Sequence, residues 1–460
     1  MTVNAHTSQA RKSWRSYAAF LLAAAGSSVG LGNVWRFPSE LGVHGGTYFY
    51  VYITCVLLVG FPLIVAELMI GRLGQADPVK SISKIAYDER RAQLWQSIGW
   101  LGVVASLLIF SFYSVVAGWI MFYIMPSLSG AFLNMPAEIV QHSFGALTQN
   151  TTQQMLWHSV FVLMVVMVLT QEFRYGLERA VRFLMPLFIG FLVWLLVYVI
   201  QFGDYDSAIA FMFTFDASSI SSELFVSALS QALFSLSIGI GILIMYGSYL
   251  SESRPLFFGG GVIMIFDIGI ALLMSVIIFS ISFAFGMSPS SGNGLIFETL
   301  PVAFAQLSNY GVWWSSAFFI FLFIAALTSG FALLEPSISM LSRRTKLNRR
   351  GAAWLVGLLV WMLGNVCIYT FNSEFTFYYY DQERVNGFFD VLNILGVQVL
   401  LPFIALLVCV FAGWRVSKST SRELMSIKPK LAFFIWLFCI RFVAPLIISI
   451  ALIMVVFLPA

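Results

Sequence analysis

The chain has 460 residues, 60% of them hydrophobic and only 10% charged, with a mean hydropathy of +0.89. A soluble domain carries roughly 25% charged residues, so the composition excludes a soluble globular protein and predicts an all-α polytopic membrane protein. The net charge of +4 says little about partners, because in a membrane protein the placement of charges matters more than their sum.

In chain order, residues 1–10 form a polar tail without a cleavage motif, expected on the cytoplasmic side. The first apolar segment, 17–37, is long enough to cross a bilayer as a helix, yet Gly26-Ser27-Ser28-Val29-Gly30-Leu31-Gly32-Asn33 falls at its centre. Glycine costs about 1 kcal/mol in a helix interior. Unwound backbone at membrane depth survives only where it is buried in protein or lines a cavity. This helix is therefore expected to be broken, with freed carbonyl and N–H groups that bind something. Further apolar segments follow at 47–71, 96–125, 156–171, 178–201, 224–250, 258–285, 312–341, 352–371, 388–414 and 431–458, eleven in all. The sixth repeats the oddity of the first, with Ser235-Leu236-Ser237-Ile238-Gly239-Ile240-Gly241 in mid-segment.

Placing the N-terminus in the cytoplasm puts every Lys and Arg except Arg36, Arg384 and Arg441 on the cytoplasmic side, while loops 126–155, 202–223 and 286–311 carry none. An odd number of spans then leaves the C-terminus outside. The cysteines Cys55, Cys367, Cys409 and Cys439 lie singly, without metal or redox spacing. The histidines His6, His44, His142 and His158 are scattered, with no nucleophile beside them, so no enzyme is expected. The triplet Asn150-Thr151-Thr152 is a glycosylation sequon, in a short loop without a cysteine pair, but such triplets arise by chance. Breaks at matching positions in two runs of five segments are the pattern of an inverted-repeat transporter. That reading divides the chain into 11–201, 223–414 and a last helix at 431–458.

The stretch Gly26-Ser-Ser-Val-Gly-Leu-Gly-Asn-Val-Trp-Arg-Phe-Pro38 resembles the first-helix signature of the neurotransmitter:sodium symporter family, which has the LeuT fold. Gly60-Phe-Pro-Leu with Glu67 and Gly71-Arg72, Phe234-Ser-Leu-Ser-Ile-Gly-Ile-Gly241, Gly294-Leu-Ile-Phe-Glu-Thr-Leu-Pro301 and Ala325-Ala-Leu-Thr-Ser329 extend the resemblance over residues 11 to 415. It implies eleven transmembrane helices in a 5+5+1 arrangement, with helices one and six unwound at mid-membrane; the short loop at Asn150 lacks the cysteine pair of the family's animal members, so a bacterial inner membrane is the expected location.

The resemblance also implies two Na+ sites. One would use carbonyls of Gly26, Val29 and Ala325 and hydroxyls of Thr328 and Ser329. The other would use the Ser28 carbonyl, Asn33, Ser235 and Asp267. Neutral oxygens suit a hard cation inside a membrane, and a carboxylate such as Asp267 is costly in an apolar helix unless paired or liganded. Chloride-dependent relatives carry Asn at that position and Ser one turn on; here Ala271 stands one turn on, so no chloride requirement is expected. A substrate carboxylate would meet the amides of Leu31 and Gly32 and the Tyr113 hydroxyl, as the positive end of a half-helix favours. Its ammonium would meet Ser28, Phe234, Ser235 and Ser237. Monoamine carriers place an aspartate where Gly30 stands, so Gly30 implies an amino acid. A side-chain pocket of Ile109, Val116, Phe234, Ile240, Ser329 and Leu333 implies a neutral, hydrophobic one.

At the outer gate the resemblance pairs Arg36 with an acid on helix ten, where Asp390 or Asn393 would answer, under a lid completed by Gln231 and Phe234. At the inner gate it assigns Arg11 and Trp14 to an N-terminal latch supported by Tyr249. The acidic partner expected there appears as Arg343, so Glu335 or another contact must compensate. Glu67 is expected to brace the helix-six break, and Arg441 to snorkel toward the cytoplasmic face.

The function expected is sodium-coupled uptake of an amino acid by alternating access. The partners are then the substrate and the lipid bilayer, not nucleic acid, with the chain a monomer or weak homo-oligomer. A non-transporting amino-acid sensor and a proton-coupled transporter are the alternatives.

Overall fold

In the computed structural model the described residues are 17–133, 135–172, 175–251, 254–289, 294–306, 311–371, 376–379, 382–425 and 430–457. The expected latch residues Arg11 and Trp14 lie outside them. Helices dominate. The first apolar segment forms α1 (Tyr17–Ser28), a π turn at Gly32–Arg36, and α2 (Phe37–His44). Then come α3 (Thr47–Gly74), α4 (Pro78–Asp88), α5 (Gln93–Leu128), α6 (Ala137–Gln149), α7 (Thr151–Leu169), α8 (Leu177–Phe202) and α9 (Tyr205–Phe213). The sixth apolar segment is split into α10 (Ser222–Ser235) and α11 (Ile242–Gly247). Beyond it lie α12 (Leu256–Ala284), α13 (Leu295–Ala305), α14 (Gly311–Arg344), α15 (Arg349–Thr370), α16 (Gly387–Arg415), α17 (Lys418–Met425) and α18 (Leu431–Val455). A small antiparallel hairpin, β1 (Thr376–Tyr379) and β2 (Gln382–Asn386), joins α15 to α16 and pairs Thr376 with Asn386; the aromatic run Phe377–Tyr379 falls on its first strand.

Among the described residues nine helices are long and apolar enough to cross a membrane. The two interrupted segments, α1–α2 and α10–α11, are not among them, because each is cut where the serine and glycine clusters fall. α14 and α5 are the most enclosed spans, while α8 and α18 turn most of their length outward. Their exposed side chains, such as Phe183, Val193, Phe434 and Leu446, suit a lipid surround.

Prolines shape several spans in one recurring way. Among the described residues, five of the six π turns stand directly before an X-Pro pair: Gly32–Arg36 before Pro38, Val56–Gly60 before Pro62, Leu295–Thr299 before Pro301, Ile394–Leu400 before Pro402 and Cys439–Val443 before Pro445. Proline has no N–H to give and its ring presses on the carbonyl four residues back. Widening that turn relieves the clash and keeps the helix running. Pro126, Pro186 and Pro336 sit inside helices without such a turn.

Close backbone contact positions the sixth-segment break. A Cβ on Gly71 of α3 would strike the Ile244 carbonyl of α11, and one on Gly247 would lie 2.9 Å from the Leu68 Cα. Small residues let helices approach this closely in a membrane. Arg441, expected to snorkel, has a specific partner: its Nε donates to the Gly413 carbonyl at 2.6 Å. That carbonyl lies in the terminal π turn Phe411–Arg415 of α16, where helix carbonyls lack intrahelical donors.

Candidate functional site

The two breaks face each other. Between α10 and α11, Ser237, Gly239 and Gly241 take φ of +58°, +84° and +79°, so every second residue is left-handed and the helix cannot continue. Glycine takes such angles at no steric cost, which is why two of the three positions are Gly. Glu67 of α3 accepts the Gly239 N–H at 2.8 Å through Oε1, supporting the unwound backbone as expected. The breaks are joined directly, since Ser237 Oγ donates to the Ser27 carbonyl at 3.3 Å.

A cavity of about 20 Å³ lies between them, lined by Ser27, Ser28, Gly30, Leu31, Gly32, Tyr113, Phe234, Ser235, Ser237, Ile240, Ser329 and Leu333. All but Ser27 and Gly30 belong to the substrate set expected from sequence. Ile109 and Val116, also expected there, are buried on α5 and lie outside this lining. Tyr113 donates its hydroxyl proton to the Ala326 carbonyl at 3.0 Å. A side chain at position 30 would collide with Ser329 Oγ and lie 2.8 Å from its Cβ, so α14 closes against the bare backbone of the first break.

The expected ion ligands gather at two places. On the α14 side, Ser329 Oγ donates to the carbonyls of Ser27 (3.2 Å) and Val29 (3.3 Å), and Thr328 Oγ1 donates to the Ala325 carbonyl at 3.0 Å. Gly26 is one turn before Val29 on α1, packed against Met185 and Val181 of α8. On the α12 side, Asp267 is fully buried. Asn33 Nδ2 donates to its Oδ1 at 2.8 Å, and Tyr52 and Ser235 donate to its Oδ2 at 2.8 and 3.1 Å. All three donors are neutral. Asn33 Oδ1 is buried with no hydrogen-bond partner. A bare carboxamide oxygen beside a carboxylate held only by neutral donors fits a small cation, which would supply the missing positive charge and take up the free lone pairs. Tyr52 was not singled out from sequence. A tyrosine among Tyr48, Tyr50 and Tyr52 gives no signal of its own until the fold brings its hydroxyl to Asp267.

At the outer side, Gln231 Nε2 donates to the Gly32 carbonyl at 2.7 Å, and Arg36 Nη1 donates to Gln231 Oε1 at 3.4 Å. The Arg36 guanidinium lies 5.6 Å from the Phe234 ring centroid. Arg36, Gln231 and Phe234 therefore do come together. Asp390 and Asn393 sit on α16 just before its π turn. At the inner side, Glu335 is 1% exposed and takes both Nη atoms of Arg349, at 3.0 and 2.6 Å. Arg349 also donates to the Leu169 carbonyl at the end of α7. Glu335, named from sequence for the inner gate, thus pairs α14 with the start of α15. Arg343 itself is exposed, and Tyr249 lies half-buried two residues past α11.

Residues 11–145 and 132–459 match the sodium:neurotransmitter symporter family. The chain belongs to that family. It is 30% identical over 441 residues to the sodium-dependent transporter YhdH of Bacillus subtilis, covering 95% of this chain and 96% of that one. A sodium-dependent transporter of Haemophilus influenzae is 28% identical, with 97% and 98% covered. Among solved structures, MhsT in complex with L-phenylalanine superposes with a TM-score of 0.89 at 34% identity, covering 96% of this chain and 99% of that one. The fold is that of LeuT, and family membership makes this symporter homologue a sodium-dependent membrane transporter.

Proposed function

We propose that the chain couples sodium to the uptake of a neutral, hydrophobic amino acid by alternating access, without a chloride requirement. The observation that carries this reading is the buried group of Asp267, Asn33, Tyr52 and Ser235 beside a cavity that two helix breaks enclose. A fixed carboxylate there supplies the negative charge that an anion would otherwise bring, and Ala271 offers no hydroxyl to hold one. Two Na+ ions are proposed, one at Ser28, Asn33, Ser235 and Asp267, the other at Gly26, Val29, Ala325, Thr328 and Ser329. The cavity's apolar wall of Phe234, Ile240 and Leu333 supports a substrate with a hydrophobic side chain, in keeping with the phenylalanine bound to MhsT. The collision that any side chain at Gly30 would meet supports recognition of the substrate by backbone groups rather than by an aspartate. The two inverted halves are proposed as 11–201 and 223–414, in a bacterial inner membrane with the N-terminus inside.

Reconstituted vesicles with an imposed inward sodium gradient test this. Uptake of labelled leucine, isoleucine, phenylalanine or tryptophan is expected with sodium, lost when potassium replaces it, and unchanged when gluconate replaces chloride. Uptake that persists without sodium, or that needs chloride, overturns the reading.

A further inference from the structure

The outer parts of the two interrupted helices are joined by side chains rising in steps of one turn. On the first-segment side stand Gly32, Arg36 and Glu40, each four residues apart. On α10 stand Gln231 and Ser227, also four apart. Gln231 Nε2 donates to the Gly32 carbonyl (2.7 Å), Arg36 Nη1 donates to Gln231 Oε1 (3.4 Å), and Ser227 Oγ donates to Glu40 Oε2 (2.7 Å). Glu40 Oε1 lies 3.8 Å from Arg36 Nε. One turn further out, His44 Nε2 lies 3.6 Å from Glu40 Oε2, and its ring stacks on buried Tyr48 with centroids 5.7 Å apart.

We propose that Glu40 is the positioning residue of the outer gate. One carboxylate oxygen steadies the Arg36 guanidinium over Phe234, and the other accepts the Ser227 hydroxyl, so that α2 and α10 cover the cavity as one lid. An arginine loses much rotamer freedom when ordered, and its single 3.4 Å bond to Gln231 is weak support. A carboxylate four residues along the same helix is in register to steady it. The bond from Ser227 is charge-assisted, hence short and comparatively strong, and it is the step that ties the charged pair to the second helix. The carboxylate beside Arg36 then comes from its own helix. Glu40 touches no substrate; it acts through Arg36 and Ser227.

The role of Glu40 as part of a lid rests on the transport reading; the coupling of the two helices does not. Spin labels on full-length protein at Val43→Cys and Glu223→Cys, in sodium without amino acid, read the separation of α2 from α10. A single narrow distance distribution is expected in the parent. Broadening is expected in Glu40→Ala and in Ser227→Ala, and the double variant should be no broader than Glu40→Ala alone, because both changes remove one bond. Glu40→Gln, which keeps an acceptor for Ser227 but not the charge, should fall between. Release of tritiated L-phenylalanine to the outer side should be about tenfold faster in Glu40→Ala, as expected for a lost interaction of this class. An unchanged distance distribution in Glu40→Ala, or additive effects in the double variant, overturns the proposal. So does an Asp390→Asn variant that broadens the distribution as much as Glu40→Ala. If Glu40→Ala does not fold, Ser227→Ala and Glu40→Gln decide. If the parent does not bind phenylalanine, the substrate reading is what fails, and the label distances still decide the role of Glu40.

Discussion

At the scale of single residues, the site is governed by what lacks a partner. Asp267 takes hydrogen bonds from Asn33, Tyr52 and Ser235, yet none of these neutralises it. Buried charge without a counter-charge is costly, and the cost falls when a cation arrives. Asp267→Asn keeps the shape and removes the charge. The sodium concentration giving half-maximal thermal stabilisation is expected to rise by about tenfold or more, since a binding loss of about 1.4 kcal/mol already gives that factor. An unchanged sodium titration would show that the carboxylate does not face the ion. Gly30 sets a steric condition instead. Gly30→Ala should abolish the ligand-induced thermal shift while leaving the protein folded, because Ser329 stands where the methyl group would go. Much of this was legible beforehand. Asp267 is conspicuous as a carboxylate in an apolar run, and the glycine and serine cluster marks the break. Tyr52 and Glu40 were not, because an ordinary tyrosine and a glutamate near a helix end acquire meaning only from what the fold sets opposite them.

At the scale of elements, hydropathy marked each of the nine long apolar helices among the described residues, and the serine–glycine clusters fall where the two interrupted segments are cut. The ends of the first span were less legible. The sequence reading stops at residue 37, where Phe-Pro looks like a terminus, but the helix continues to His44 through a widened turn. A proline reads locally as a stop; whether the chain instead relaxes into a π turn depends on packing that local sequence does not carry. Arg441 is a second case. Its charge in an apolar helix was visible, but its acceptor lies on α16. Arg441→Leu leaves the Gly413 carbonyl without that donor, at a cost of about 1–3 kcal/mol. The detergent-solubilised variant should melt a few degrees lower with the half-saturation constant for substrate unchanged. A normal melting temperature would place the arginine's value elsewhere.

For the whole molecule, the distribution of basic residues predicts orientation, and one of those residues, Arg349, joins three helices. Buried Glu335 and half-buried Arg349 form a two-pronged pair, and Arg349 reaches α7 as well. The charged bond thus draws α14 and the start of α15 to the end of α7. Removing one partner of a buried pair is strongly destabilising, by about 3–5 kcal/mol, because the other charge is left alone. Glu335→Gln should therefore shift the population toward inward-open forms. A cysteine placed at Ser27 should then be labelled faster by a membrane-impermeant maleimide from the cytoplasmic side, and equal labelling rates would refute this. The pairing was not legible in the sequence because the resemblance directed attention to Arg343 and the N-terminal latch, while Arg349 looked like one more basic residue of a cytoplasmic loop.

The widened turns before the prolines also say where the chain can be shortened. A π turn is an α-helix with one residue too many, so removing one residue between Ile394 and Leu400, together with Pro402→Ala to lift the proline clash, lets α16 close into regular α geometry while both halves keep their facing. The same deletion a turn or two later, within 404–408, would swing everything beyond it by about 100°, the angle per residue of a helix with 3.6 residues per turn. The Gly413 carbonyl would then be carried away from Arg441. A scan of single-residue deletions along α16, read by surface expression and uptake, should show tolerance within Ile394–Leu400 and none across 404–408.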